Sequence, residues 1–206
     1  MKATQTIALI AVSVLLLLSC SGKKVSLFNG DNLDGWKVVL KEDTDAITGA
    51  STFSAGDGVI HVTGSPFGYI RTEKKYSDYL LHVEWRWAGD KAVDGGIFNY
   101  LQDGDIVWPT GVQLQMTPKD MGMLMGGIPI DGVEGPFYRK ERTVTDNPEK
   151  PVGEWNEMEF LCKGGNITVS LNGITINEAR CKATEGYIGL QSEGGAMEFR
   201  NIYVTK

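Results

Sequence analysis

The sequence predicts an all-β fold, two antiparallel sheets closed into a jelly-roll sandwich, and three observations carry that expectation. From Val25 onward no helical periodicity outlasts about two turns, while strand-like runs recur roughly every eight to twelve residues. Gly, Pro, Asn or Asp separate those runs, and 26 glycines suit a chain of many tight turns. The runs alternate apolar with polar residues, so each strand has one face to bury, and a second sheet is the natural cover.

Taken in order, strands are expected at Gly58 to Thr63, Gly68 to Thr72, Tyr79 to Trp87, Gly96 to Leu101, Gly111 to Met116, Asn156 to Lys163, Ile167 to Leu171, Ile174 to Asn177, Tyr187 to Gln191 and Met197 to Thr205. Asn172-Gly173, set between two β-branched runs, signals a type I′ hairpin, because both central positions need positive φ. Lys163-Gly164-Gly165-Asn166 signals a second hairpin. Thr117 to Val152 breaks the rhythm with Gly and Pro. Its Met121, Met123, Leu124, Met125, Phe137 and Tyr138 are too apolar for a disordered linker, so the segment reads as an ordered cover over one end of the polar sheet.

Met1-Lys2 and the apolar stretch Ile7 to Leu18 form a charged region followed by a hydrophobic one too short to span a bilayer by itself. Leu17-Leu18-Ser19-Cys20 completes a string that resembles a bacterial lipobox, which makes Cys20 the expected acylated first residue after cleavage. The expected organisation is a signal peptide at 1–19, a lipid-anchored linker at 20–26 and one sandwich domain at 27–206. Lys23 and Lys24 after the cysteine favour the periplasmic side of the envelope over its surface. A net charge of −6 and a pI near 5.0 argue against nucleic acid as a partner, since no basic stripe exists to meet a phosphate backbone. Cys162 and Cys181 are left as either a disulfide or buried thiols. No CxxC, HExxH or paired-histidine spacing calls for structural zinc.

Strand alternation sends His82, Glu84 and Arg86 to one side of Leu81 to Trp87 and the hydrophobic residues to the other. The same rule presents Gln113 and Gln115, Tyr69 and Arg71, and Tyr187 and Gln191. Read together, these residues form one polar face. Amides, a guanidinium, a carboxylate and rings offer a polyhydroxylated ligand hydrogen bonds at its edge and a flat surface for its apolar side, so a sugar is the expected ligand. Trp108, next to Pro109 at the entrance of the glutamine strand, is a stacking platform, whereas Trp85 and Trp87 fall on the core side and Trp155 is expected to pack.

Several strings in order carry a resemblance: Leu27-Phe28-Asn29-Gly30 with Leu33-Asp34-Gly35-Trp36, Val83-Glu84-Trp85-Arg86, Gly96-Ile97-Phe98, Trp108-Pro109-Thr110-Gly111-Val112-Gln113-Leu114-Gln115, and Gly186 to Gln191 followed by Glu198-Phe199-Arg200-Asn201-Ile202. In this order the chain resembles the 3-keto-disaccharide hydrolase domain family, formerly a domain of unknown function, whose fold is similar to concanavalin-like glucanase sandwiches. The resemblance implies an envelope lipoprotein that cleaves a glycoside whose ring carries a ketone at carbon 3, by hydrolysis or by elimination at carbon 2 followed by hydration. The ketone acidifies the hydrogen on carbon 2, so a base can remove it and the group on carbon 1 can leave.

That chemistry needs a base near neutral pH, donors toward the enolate oxygen, and an acid for the departing oxygen. Glu84 is the first expectation for the base and His82 the second, with Glu193 as the acid. Arg71 and Arg86 are expected on the enolate or the hydroxyls, and Gln115 and Gln191 as amide clamps. Relatives commonly read Glu-x-Gln where this chain has Gln113-Leu114-Gln115, so one carboxylate has become a group that cannot exchange protons near neutrality. A non-catalytic carbohydrate-binding module is therefore the alternative, and a structural envelope protein the third. No cofactor is fixed by spacing, though Glu84, Glu193 and His82 could together hold a divalent cation.

Overall fold

The computed structural model describes residues 22–41, 52–135 and 137–206. The expected signal peptide and the lipobox cysteine Cys20 lie outside them. Sixteen strands occur among the described residues: β1 Lys24–Ser26, β2 Trp36–Leu40, β3 Phe53–Gly56, β4 Val59–Val62, β5 Gly68–Thr72, β6 Tyr76–Ser77, β7 Tyr79–Trp87, β8 Gly96–Leu101, β9 Val112–Gln115, β10 Leu124–Gly126, β11 Tyr138–Lys140, β12 Asn156–Lys163, β13 Asn166–Leu171, β14 Ile174–Arg180, β15 Glu185–Ser192 and β16 Met197–Thr205. They form two antiparallel sheets. The first runs β14-β13-β12-β7-β16-β4-β3 with β1 also on β16, and the second runs β11-β10-β9-β8-β15-β5-β2 with β6 also on β15. Neighbours in the sheets are often distant in sequence, as a jelly roll requires.

All ten expected strands are present, with ends shifted by up to about three residues. Asn172 at φ 50° and Gly173 at φ 80° make the β13–β14 hairpin, and Gly164 and Gly165 at φ 55° and 85° make the β12–β13 hairpin. Two expectations change. Lys24–Ser26 pairs with Tyr203–Thr205, so the folded unit begins inside the expected linker. Thr117 to Val152 supplies β10 and β11, which prolong the second sheet beyond β9 rather than only covering it. Its pattern hid this because each strand is three residues long. Asn177, fully buried on β14, donates to the carbonyl of Gly122 at 2.8 Å and ties this segment to the first sheet.

The core lies between the inner faces. Leu81, Val83, Trp85 and Trp87 of β7 meet Ile97, Leu114, Ile188 and Leu190 of the second sheet in one continuous apolar cluster. Trp85 is wholly buried and packs edge-on against Trp87 at 5.0 Å. Truncating such a side chain to alanine opens a cavity and costs about 3–5 kcal/mol. Cys162 and Cys181 are both buried and both free thiols, and burial pushes Cys162 up to about 12, so it is inert as a nucleophile.

Candidate functional site

The expected single polar face is in fact two. Alternation fixes which side of its own strand a residue occupies, but not the sheet to which that strand belongs. Strand β7 is central in the first sheet, so His82, Glu84 and Arg86 point outward there. Gln113, Gln115, Tyr69, Arg71, Tyr187 and Gln191 all belong to the second sheet. Glu193, in the loop after β15, joins the second group, so the expected cation set of His82, Glu84 and Glu193 is not assembled.

On the second sheet, register brings the glutamines together. Gln191 lies opposite Tyr69, Leu190 opposite Ile97, Gly96 opposite Gln115, and Phe98 opposite Gln113. Gly96 therefore sits in the middle of the amides, where an added Cβ would fall 2.5 Å from Gln113 Nε2 and 2.7 Å from Gln191 Oε1. Glycine is required there by close approach. Above it, Gln113 Nε2 donates to Gln115 Oε1 at 2.7 Å and to Gln191 Oε1 at 2.8 Å. Gln191 Nε2 donates in turn to Glu193 Oε2 at 2.8 Å, and Gln115 Nε2 to Asp94 Oδ1 at 2.9 Å.

This network explains the residue at 113. Two carboxylates at the ends demand donors, so the carbonyl oxygens of Gln115 and Gln191 turn inward, and only a group with two N–H hydrogens can satisfy both. A glutamate at 113 would face two carbonyls with no proton to give. The amide thus sets the direction of every hydrogen bond in the chain of five side chains.

The two terminal carboxylates have no cationic partner within 4.0 Å among the described residues. Burial, reinforced by the charge of Asp94, pushes Glu193 up to about 7. Burial also holds Asp94 above its ordinary range, with Asp120 adding to the effect against the hydrogen bonds from Gly95 and Gln115. Asp94 carries no strand signal, so alternation along the sequence does not single it out. The clue to it is the Asp94-Gly95-Gly96 string that leads into β8.

Beside Gln113 opens a cavity of about 160 Å³ lined by Phe98, Trp108, Met125 and Phe137. Trp108 is 68% exposed and leans on Phe67, ring centroids 4.5 Å apart. Ile106 and Phe137 are exposed near it, giving a patch of large apolar groups at one end of the face.

Arg71 has a different employment from the expected one. Its Nε and Nη2 donate to Asp105 at 2.6 and 3.1 Å, its Nη1 donates to the Thr72 carbonyl at 3.0 Å, and it lies 3.9 Å over the Tyr187 ring. Lys37 also reaches Asp105, at 2.6 Å. Tyr187 donates to Asp103 at 2.9 Å, and Tyr69 to the carbonyl of Ile106 at 3.1 Å. These contacts pin the 102–111 loop that carries Trp108. The hydrogen bonds from Arg71 and Lys37 hold Asp105 down at about 2.

On the first sheet, Arg200 and Asn201 donate to the two oxygens of Glu84 at 2.7 and 2.6 Å. Burial pushes the Glu84 carboxyl up, but the bonds from Asn201 and Arg200 outweigh it and leave it below its ordinary value. Arg86 donates to Glu198 at 2.6 Å and lies 4.6 Å from the Trp155 ring, with Arg200 also on that ring at 3.9 Å. Trp155 packs as expected, beneath arginines.

Among solved structures the chain is similar to a candidate glycosyl hydrolase of Parabacteroides distasonis, with 24% identity and a TM-score of 0.65 over 89% of this chain and 99% of that one. A Bacillus licheniformis beta-glucanase matches with 14% identity and a TM-score of 0.61 over 90% and 98%. The carbohydrate binding module CBM66 of Bacillus subtilis matches with 16% identity and a TM-score of 0.54 over 84% and 96%. At these identities the likeness is one of fold. No curated protein matches the chain. The family described as the 3-keto-alpha-glucoside-1,2-lyase-like domain matches residues 23–205, which is nearly the whole described chain, and the protein belongs to that family.

Proposed function

We propose that the protein is carbohydrate-active and cleaves a 3-keto-glycoside on the outer face of the second sheet, with Glu193 as the base. The observation that carries this is a carboxylate held near pKa 7 by burial, with an amide donor on one oxygen and no cation beside it among the described residues. A base of that strength is half ionised at neutral pH and strong enough to take an α-keto proton. In the reaction Glu193 takes the hydrogen from carbon 2, the electron pair moves through carbon 2 and carbon 3 onto the ketone oxygen, and its return expels the oxygen on carbon 1. The proton that Glu193 has taken then passes to the leaving oxygen, while the charge of Asp94 helps to keep Glu193 basic. Gln113, Gln115 and Gln191 fix the carboxylates, and the Trp108 cavity has the size of a single ring rather than of a long chain. This replaces Glu84, which its ion pair keeps ionised but weakly basic.

Membership of the family and the likeness to carbohydrate-acting folds support a sugar ligand. The test is aglycone release by the full chain from a 3-keto-glucoside and from its unoxidised parent. Release from the ketone alone is expected; equal release from both would overturn elimination. One residue favours a second reading: Gln113, at the centre of the amide network, cannot exchange protons near neutral pH. Sugar binding without release from either compound would mark a binding protein. Tethering through acylated Cys20 remains part of the proposal, and alkyne-palmitate labelling that survives in Cys20→Ala would refute it.

A further inference from the structure

We propose a divalent cation site, best fitted to Zn²⁺, on the outer face of the first sheet, formed by His82, Glu159 and Glu157. Register places Glu159 directly opposite His82, and Glu157 two residues along the same strand face. One ligand atom from each lies within 4.8 Å of the others. An independent observation points to a ligand: His82 is 7% exposed, its Nδ1 is buried without a hydrogen-bond partner among the described residues, and that nitrogen faces Glu159 Oε1 at 3.6 Å. A buried imidazole nitrogen left unpaired is rare, and a metal satisfies it as a proton donor would.

The surroundings fit a metal-binding imidazole. The other nitrogen, Nε2, faces Glu84 Oε1 at 3.9 Å, and Glu84 is itself fixed by Arg200 and Asn201. With an ion on Nδ1 the proton resides on Nε2, where it faces the Glu84 carboxylate, the arrangement common behind metal-bound histidines. The ring is stacked on Tyr203 with centroids 4.6 Å apart and 15° between planes, which fixes its direction. Lys24 lies 3.5 Å from the Tyr203 centroid and so takes that ring's other face, with no Lys or Arg within 4.0 Å of either Glu157 or Glu159 among the described residues. One imidazole with two carboxylates suits zinc, whose bonds of about 2.0–2.1 Å bring ligand atoms to about 3.3 Å apart. Rotation of the two accessible glutamates closes that gap, and water completes the shell. The ion would clamp β12 to β7 on the side of the molecule away from the glutamines, independently of the reaction there.

The test is a Zn²⁺ titration of the full chain in detergent, with Co²⁺ as spectroscopic substitute. One ion per chain is expected, with affinity at least tenfold weaker in His82→Gln and in Glu159→Gln, and unchanged in His61→Gln, which removes the other histidine, paired with Glu198 at 3.0 Å. Glu159→Gln is a partly exposed isosteric change and carries the test if His82→Gln folds poorly. Zn²⁺ should raise the melting temperature of the wild type and not of Glu159→Gln. No saturable binding, equal affinity in wild type and Glu159→Gln, loss in His61→Gln, or a thiolate-to-cobalt absorption band would each overturn the assignment.

Discussion

Both sheets present carboxylates on their outer faces, and Glu84 on the first and Glu193 on the second are held in opposite ways. On the first sheet Glu84 meets Arg200 and Asn201, and Glu198 meets Arg86 at 2.6 Å. On the second, Glu193 and Asp94 accept from glutamine amides and a backbone N–H, with no cation within 4.0 Å among the described residues, and the charge of Asp94 bears on Glu193 as that of Asp120 bears on Asp94. The same residue type is held below its ordinary value in one place and raised to about 7 in the other. Paired carboxylates hold strands together; a buried carboxylate without a cation is available for proton transfer.

The sharpest way to break this contrast is to neutralise one carboxylate on each face. Glu193→Gln should lower aglycone release by about 10²–10⁴-fold, the usual worth of a general base, while sugar binding persists in calorimetry. It should also change stability against pH in a defined direction. Glu193 has an ordinary value of 4.5 and about 7 in the folded chain, so the folded state holds the proton more tightly. Stability is then full below 4.5 and declines as pH rises toward 7, and the variant should lack that decline in melting temperature. Gly96→Ala comes next. Its new Cβ collides with the amides of Gln113 and Gln191, at a cost of about 1–3 kcal/mol by denaturant melting, and turnover should fall with it. Trp108→Ala should weaken sugar binding about tenfold, near 1.4 kcal/mol, by removing the exposed ring at the cavity mouth, with little effect on melting. Glu84→Gln should be the mildest, with turnover within twofold of wild type and about 0.2–1 kcal/mol of stability lost with a partly exposed ion pair. Turnover abolished by Glu84→Gln would return the base to the first sheet.

The strands were readable because alternation and turn residues are local signals: the long β7 and the Asn172-Gly173 hairpin announce themselves within a few residues. Short strands were not, since β6, β10 and β11 owe their existence to a neighbour's edge rather than to their own two or three residues. The same limit shaped the site. Gln113, Gln115 and Gln191 share one face of the second sheet, whereas His82, Glu84 and Arg86 lie on the first, and nothing along a strand says to which sheet it belongs. Arg71 was visible as a polar residue of the right face, while its engagement with Asp105 depends on a loop 34 residues away. Asp94 was invisible for a related reason, its importance coming only from the amide that reaches it.

The most direct measurement of the central claim is the pH dependence of aglycone release from a 3-keto-glucoside between pH 5 and 9. The account predicts a rate that rises through about pH 7 as Glu193 ionises, and that this rise disappears along with turnover in Glu193→Gln. A rate that is flat from pH 5 to 8, or a profile unchanged in the variant, would contradict it.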